Sequence, residues 1–152
     1  MKPSLAAALS LLAGLAVLAG AGQALADSKA SKAKPLELRN IMKDLGKNAQ
    51  AITDGISRED WPLVEKSALL IADHPQPPFA EKLRVMSFAG TNIGKFKSHD
   101  GETHDAAKAV AKAAQAGDGD GVILAFQKLQ AACHSCHREF RKPLIEHFYE
   151  GR

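Results

Sequence analysis

The sequence predicts an all-α protein folded as an antiparallel up-down four-helix bundle. Apolar residues recur at three- and four-residue spacing through most of the chain, and no segment alternates apolar and polar residues as a half-buried strand would. The helical segments are joined by short connections, which makes neighbouring helices antiparallel. There are no internal repeats.

The bundle is preceded by an address. Lys2 supplies a short positive region, and Ser4 to Ala21 is an almost unbroken run of Leu, Ala, Val and Gly. The run closes on Ala24-Leu25-Ala26, small residues where a signal peptidase needs them, with polar Asp27 next. Residues 1–26 therefore read as a secretory signal cleaved after Ala26, which places the mature chain in the periplasm. A retained membrane anchor is the rival reading, but the flanks carry no stop-transfer pattern. Residues 27–35 form a small, polar, basic arm, and residues 36–152 the bundle domain.

Without the leader, 126 residues remain, enough for one core and too few for two. Nineteen basic residues then face 17 acidic ones. That balance is too mild to argue for nucleic acid or an anionic membrane. The mature chain has no second apolar run long enough to span a bilayer.

Pro35 stands at the expected start of the first helix, whose apolar face is Leu38, Ile41, Met42, Leu45, Ala49, Ile52 and Ile56; Gly55 is expected to end it. Ser57-Arg58-Glu59-Asp60 resembles a capping box, with Asp60 an alternative cap, and Pro62 fits the first turn of the second helix. That helix carries Leu63, Val64, Ala68, Leu69 and Ile71, and the proline-rich stretch from His74 to Pro78 stops it. Phe79 to Gly101 reads as helix with a bend, interrupted by Gly90, Gly94 and Gly101, leading into the Ala-rich segment 106–116. Gly117 to Gly121 is a turn cluster that caps the last helix, which carries Val122, Ile123, Phe126, Leu129, Ala132, Cys133, Cys136, His137 and Phe140 on one side. Pro143 is expected to end or kink it.

Two cysteines three residues apart make a poor staple, because so short a loop constrains the unfolded chain little. Cys133-His134-Ser135-Cys136-His137 is instead a C-x-x-C-H motif, the attachment signature of a c-type haem. On a helix, positions i, i+3 and i+4 share a face, so two thiols reach the porphyrin vinyl groups while the His137 imidazole reaches the iron. A zinc site would need further ligands at zinc spacing, and a thioredoxin-like redox pair would need strand-helix-strand context. The motif therefore predicts one covalently attached haem c, with His137 as an iron ligand.

At these residues the chain resembles the class II c-type cytochromes, the cytochrome c′ family, which carry the haem motif on the last helix of a four-helix bundle. Ala116-Gly117-Asp118 and the run from Cys136 to Lys142 carry the resemblance at the C-terminal end. Ile41 to Asn48 looks like the first helix of the low-spin members. The resemblance implies that Met42 is the distal, sixth iron ligand. A methionine on an apolar helix face is otherwise gap-filling core. Many members place an arginine four residues before the distal position; this chain has Leu38 there, leaving Arg39 as the neighbour that could hold a haem propionate. Phe126 and Phe140 read as haem-packing core, and Arg141, with Arg138 and Lys142, as a propionate or partner contact or a solvated helix end. His99 and His104 flank Asp100, Glu102 and Asp105 and read as a solvated polar stretch rather than a metal site. His74 and His147 read as surface histidines, and Trp61 as a core anchor.

The expected function is electron transfer through a His/Met haem, with unidentified redox partner proteins and no catalysis of its own. The resemblance also implies a homodimer. Two rivals stand: a gas-binding haem protein, five-coordinate or with a displaceable Met42, and a thiol-disulfide oxidoreductase using Cys133 and Cys136.

Overall fold

The computed structural model describes residues 36–150, the side chain of Glu150 excepted. The expected leader over 1–26 and arm over 27–35 lie outside them. Every regular element among the described residues is helical: α1 Leu38–Ser57, α2 Trp61–Ala72, α3 Phe79–Ala89, α4 Ile93–Gln115, α5 Gly119–Cys136 and the short α6 Lys142–Ile145. α1 packs on α2, α2 on α4 and α4 on α5, giving four bundle helices with α3 added on the connection.

The main core draws Ile52 from α1, Val64, Ala68 and Ile71 from α2, Ala107, Val110 and Ala114 from α4, and Val122 and Leu129 from α5. Each buried Val, Ile or Leu contributes roughly 1.5–3 kcal/mol through removal from water. The alanines of α4 let its neighbours approach closely. A smaller cluster joins Leu36, Val85 and Phe148, with Phe88, Phe96 and Tyr149 against it. It ties α3 and the C-terminal tail to the entry of α1.

Four local expectations are corrected. α1 does not stop at Gly55 but runs on to Ser57, and Gly55 is buried instead. A Cβ there would stand 2.7 Å from Val64 Cγ2, so the residue serves the close approach of α1 to α2. The capping box does not form: Ser57 donates its hydroxyl back to the Thr53 carbonyl at 2.9 Å, and Asp60 alone caps α2 by accepting from the Leu63 N–H at 3.1 Å. The bent helix expected over Phe79 to Gly101, leading into 106–116, is there as α3 and α4, but α4 runs unbroken from Ile93 to Gln115. Only Gly90 of the three glycines breaks the chain, because its φ of 51° and ψ of −123° suit no side-chain-bearing residue. Finally, of the end or kink expected at Pro143, the end does not occur: the helix is distorted into a wide π-helical turn over His137–Arg141, and Pro143 sits in the first turn of α6. The widened turn absorbs the missing proline donor.

The turns α1–α2 and α4–α5 are built alike. At the first, the Asp60 N–H reaches the Gly55 carbonyl at 2.9 Å and the Glu59 N–H reaches Ile56 at 3.2 Å. At the second, the Asp118 N–H reaches Ala113 at 3.0 Å and the Gly117 N–H reaches Ala114 at 2.9 Å. Both are Schellman closures followed at once by an aspartate cap. Asp118 accepts from the Gly121 N–H at 2.9 Å.

Candidate functional site

The capping of α5 by Asp118 starts a helix that stays regular through Cys136. The His137 N–H donates to the Cys133 carbonyl, so the i, i+4 relation between these two residues is a real helical turn. Cys133, Cys136 and His137 accordingly share one face. Cys133 also packs against the main core, and both thiols are half-buried and free of any disulfide.

The electrostatics of the three groups differ. Burial pushes the Cys133 thiol up. The Cys136 thiol is pushed up to about 11, first by burial and then by the nearby carboxylate of Asp100, with Cys133, Glu139 and Glu102 adding to it. His137 is held below its ordinary value by burial, by Arg141 and by His134. It is therefore a neutral imidazole at neutral pH, with a lone pair to offer.

One turn beyond the motif, Phe140 is buried and meets Phe96 edge-on, ring centroids 5.3 Å apart, and His99 at 6.1 Å. Glu139 accepts from the Lys95 ammonium at 3.1 Å and faces His99 Nε2 at 3.4 Å, pinning the wide turn to α4. The lysine first, and then the histidine, hold the Glu139 carboxyl below its usual range.

The other predicted residues are dispersed. Phe126 packs half-buried against the main core. Arg141 is exposed. Arg39 lies over the Tyr149 ring, 5.3 Å from its centroid, and the Tyr149 hydroxyl accepts from the Leu36 N–H at 3.2 Å. Met42 is 40% exposed and belongs to neither hydrophobic cluster, whereas Ile41 beside it is 4% exposed. α1 touches α5 only sparsely.

His74 is not a surface histidine. Its side chain is 7% exposed, with Asp100 Oδ1 3.6 Å from its Nε2. His104 reaches the other oxygen of Asp100 at 3.5 Å, and its ring stacks on that of His74 at 4.7 Å between centroids. Asp100 and His104 at i, i+4 were the only part of this grouping visible in sequence. His74 arrives from the far side of a proline-rich connection, which no spacing rule reaches.

The family described as Cytochrome C' matches residues 89–141, spanning α4, α5 and the wide turn after the motif. No curated protein and no solved structure matches the chain. Covalently bound haem c is what that family implies, and the residues present fit it: two free thiols at i and i+3, and a neutral imidazole at i+4 beside them. Met42 and the first helix lie outside the matched segment. Over residues 89–141, which take in the attachment motif and both helices that position it, the chain is thus similar to the cytochrome c′ family.

Proposed function

We propose that this protein is a periplasmic, monohaem electron carrier whose haem is held by Cys133, Cys136 and His137, with Met42 as the sixth ligand. The reading rests on the motif face of α5, where half-buried free thiols stand beside a neutral imidazole. When bound, the haem supplies a one-electron ferrous/ferric couple. A thioether opposite an imidazole favours the ferrous form and raises the potential. His137 contributes its lone pair without first having to lose a proton. The exposure of Met42 outside both clusters speaks against a gap-filling role and for a side chain free to turn toward a ligand.

The bundle is read as up-and-down and antiparallel. Short turns at α1–α2 and α4–α5 support this, as does the contact of Trp61, at the first turn, with Gly119, at the second. Among the described residues no helix is long and apolar enough to cross a membrane. The leader and its cleavage after Ala26 are the basis for the periplasmic assignment.

The raised Cys136 thiol disfavours the thiol-disulfide reading, because such enzymes need a thiolate near neutral pH. The same exposure of Met42 favours, as a second reading, a displaceable sixth ligand that yields to nitric oxide or carbon monoxide. Absorption spectra of the exported protein test the proposal. Sharp low-spin bands that resist carbon monoxide are expected. Broad high-spin bands would transfer the assignment to gas binding, and haem extractable by acid-acetone would overturn covalent attachment.

A further inference from the structure

Outside the motif, three ligand-type side chains converge: His74, just after α2, and Asp100 and His104, one turn apart on α4. Their donor atoms all lie within 4.8 Å of one another. His74 Nδ1 lies 3.0 Å from the Pro75 carbonyl, and His104 Nδ1 is bonded to the Ala72 carbonyl. A carbonyl oxygen only accepts, so each Nδ1 must carry its ring's proton. That leaves both Nε2 atoms to face the carboxylate of Asp100, at 3.6 and 3.5 Å.

In the neutral tautomers those Nε2 atoms are lone pairs aimed at carboxylate oxygens, so acceptors meet acceptors. Protonating one ring leaves the other Nε2 facing an oxygen as a bare acceptor, and protonating both would set two cations face to face, since the rings stack 4.7 Å apart and within 20° of parallel. A single cation among the three donors relieves both conflicts. The distances suit a metal ion. Zinc–nitrogen and zinc–oxygen bonds of about 2.0–2.1 Å in a tetrahedral site place neighbouring donor atoms about 3.3 Å apart. The backbone carbonyls behind each imidazole are the outer contacts that fix the tautomer of a metal-binding histidine.

We propose that His74, Asp100 and His104 form a binding site for a divalent transition metal, zinc or copper by donor type. Two imidazoles and one carboxylate match that class rather than calcium or magnesium, which take oxygen ligands. Water completes the coordination from the side on which Asp100 is open to solvent. The ion joins the proline-rich connection after α2 to the middle of α4, and so braces the segment leading into α3.

Isothermal titration of the mature holoprotein with zinc chloride, after chelator treatment that leaves the covalent haem in place, tests the site. One zinc ion per chain is expected, with affinity at least tenfold weaker in Asp100→Asn and in His104→Asn, each checked for native helicity by circular dichroism. His147→Asn should bind as the parent does. Absence of saturable binding would overturn the proposal. So would parental affinity in both variants, or a loss of binding confined to His99→Asn, which would place the ion at Glu102 and Glu139 instead.

Discussion

Glu59 ends α1 in the left-handed backbone conformation that Gly117 adopts at the end of α4, with φ of 55° and 67° respectively. The two residues occupy equivalent places in matching Schellman turns, yet only one of them is glycine. A side chain in this conformation costs roughly 1–2 kcal/mol, and glycine returns part of that through its freer unfolded state. Glu59→Gly should therefore stabilise the protein by about 0.5–1 kcal/mol. Urea denaturation followed by circular dichroism should show a higher midpoint with an unchanged slope.

Two helical glycines should respond in opposite directions to alanine. At Gly55 the new Cβ would meet Val64 Cγ2 at 2.7 Å and the Asp60 carbonyl at 3.2 Å, inside the buried α1–α2 contact. Overpacking of about 1–3 kcal/mol there exceeds the gain in helix propensity of about 1 kcal/mol. Gly101, exposed in mid-α4 with nothing within 4 Å of its added Cβ, should gain most of that propensity. Gly55→Ala should lower the melting temperature and Gly101→Ala raise it.

Met42→Leu separates ligation from packing. Met42 is 40% exposed, so a side chain of similar volume should cost under about 1.5 kcal/mol in stability. The haem spectrum should nonetheless turn from low-spin to high-spin, lose any near-infrared thioether band and respond to carbon monoxide. Met86→Leu, which removes the other methionine of the mature chain, should leave the spectrum alone. A Met42→Leu spectrum identical to the parent's would rule out His/Met ligation.

The His74–Asp100 pair predicts a pH window in metal-free protein. Asp100 holds His74 above its ordinary value of 6.5, and His74 holds Asp100 below its ordinary 3.8. The histidine's contribution is complete below 6.5 and fades as pH rises through its raised value. The carboxylate's contribution is complete above 3.8 and fades as pH falls through its lowered one. The pair should thus stabilise most between these limits, and Asp100→Asn should flatten the pH dependence of stability across both flanks. Proton NMR should then show the His74 ring titrating at lower pH than in the parent.

How much of this was legible in the sequence depended on the range of the interaction concerned. The C-x-x-C-H motif was readable because its geometry is helical and local: three positions within five residues share a face whatever the rest of the chain does. The apolar spacing of α1, α2 and α5 and the turn cluster from Gly117 to Gly121 were equally local, and so the all-helical class followed from them. Gly55, Gly94 and Gly101 were misjudged because a glycine's role depends on what lies opposite it. Gly55 answers to Val64 on another helix, and the other two answer to solvent, where tertiary packing carries the helix through them. His74 could not be joined to Asp100 and His104 from spacing, because the contact closes across the proline-rich connection and α3. The rise of the Cys136 thiol to about 11 likewise depends on burial and on carboxylates brought from α4. The sequence by itself determined the helices and the chemistry of the motif, both set within a few turns of chain. Tertiary structure alone decided the environment of the motif and the meeting of His74 with α4, because burial and charge act through space between residues distant along the chain.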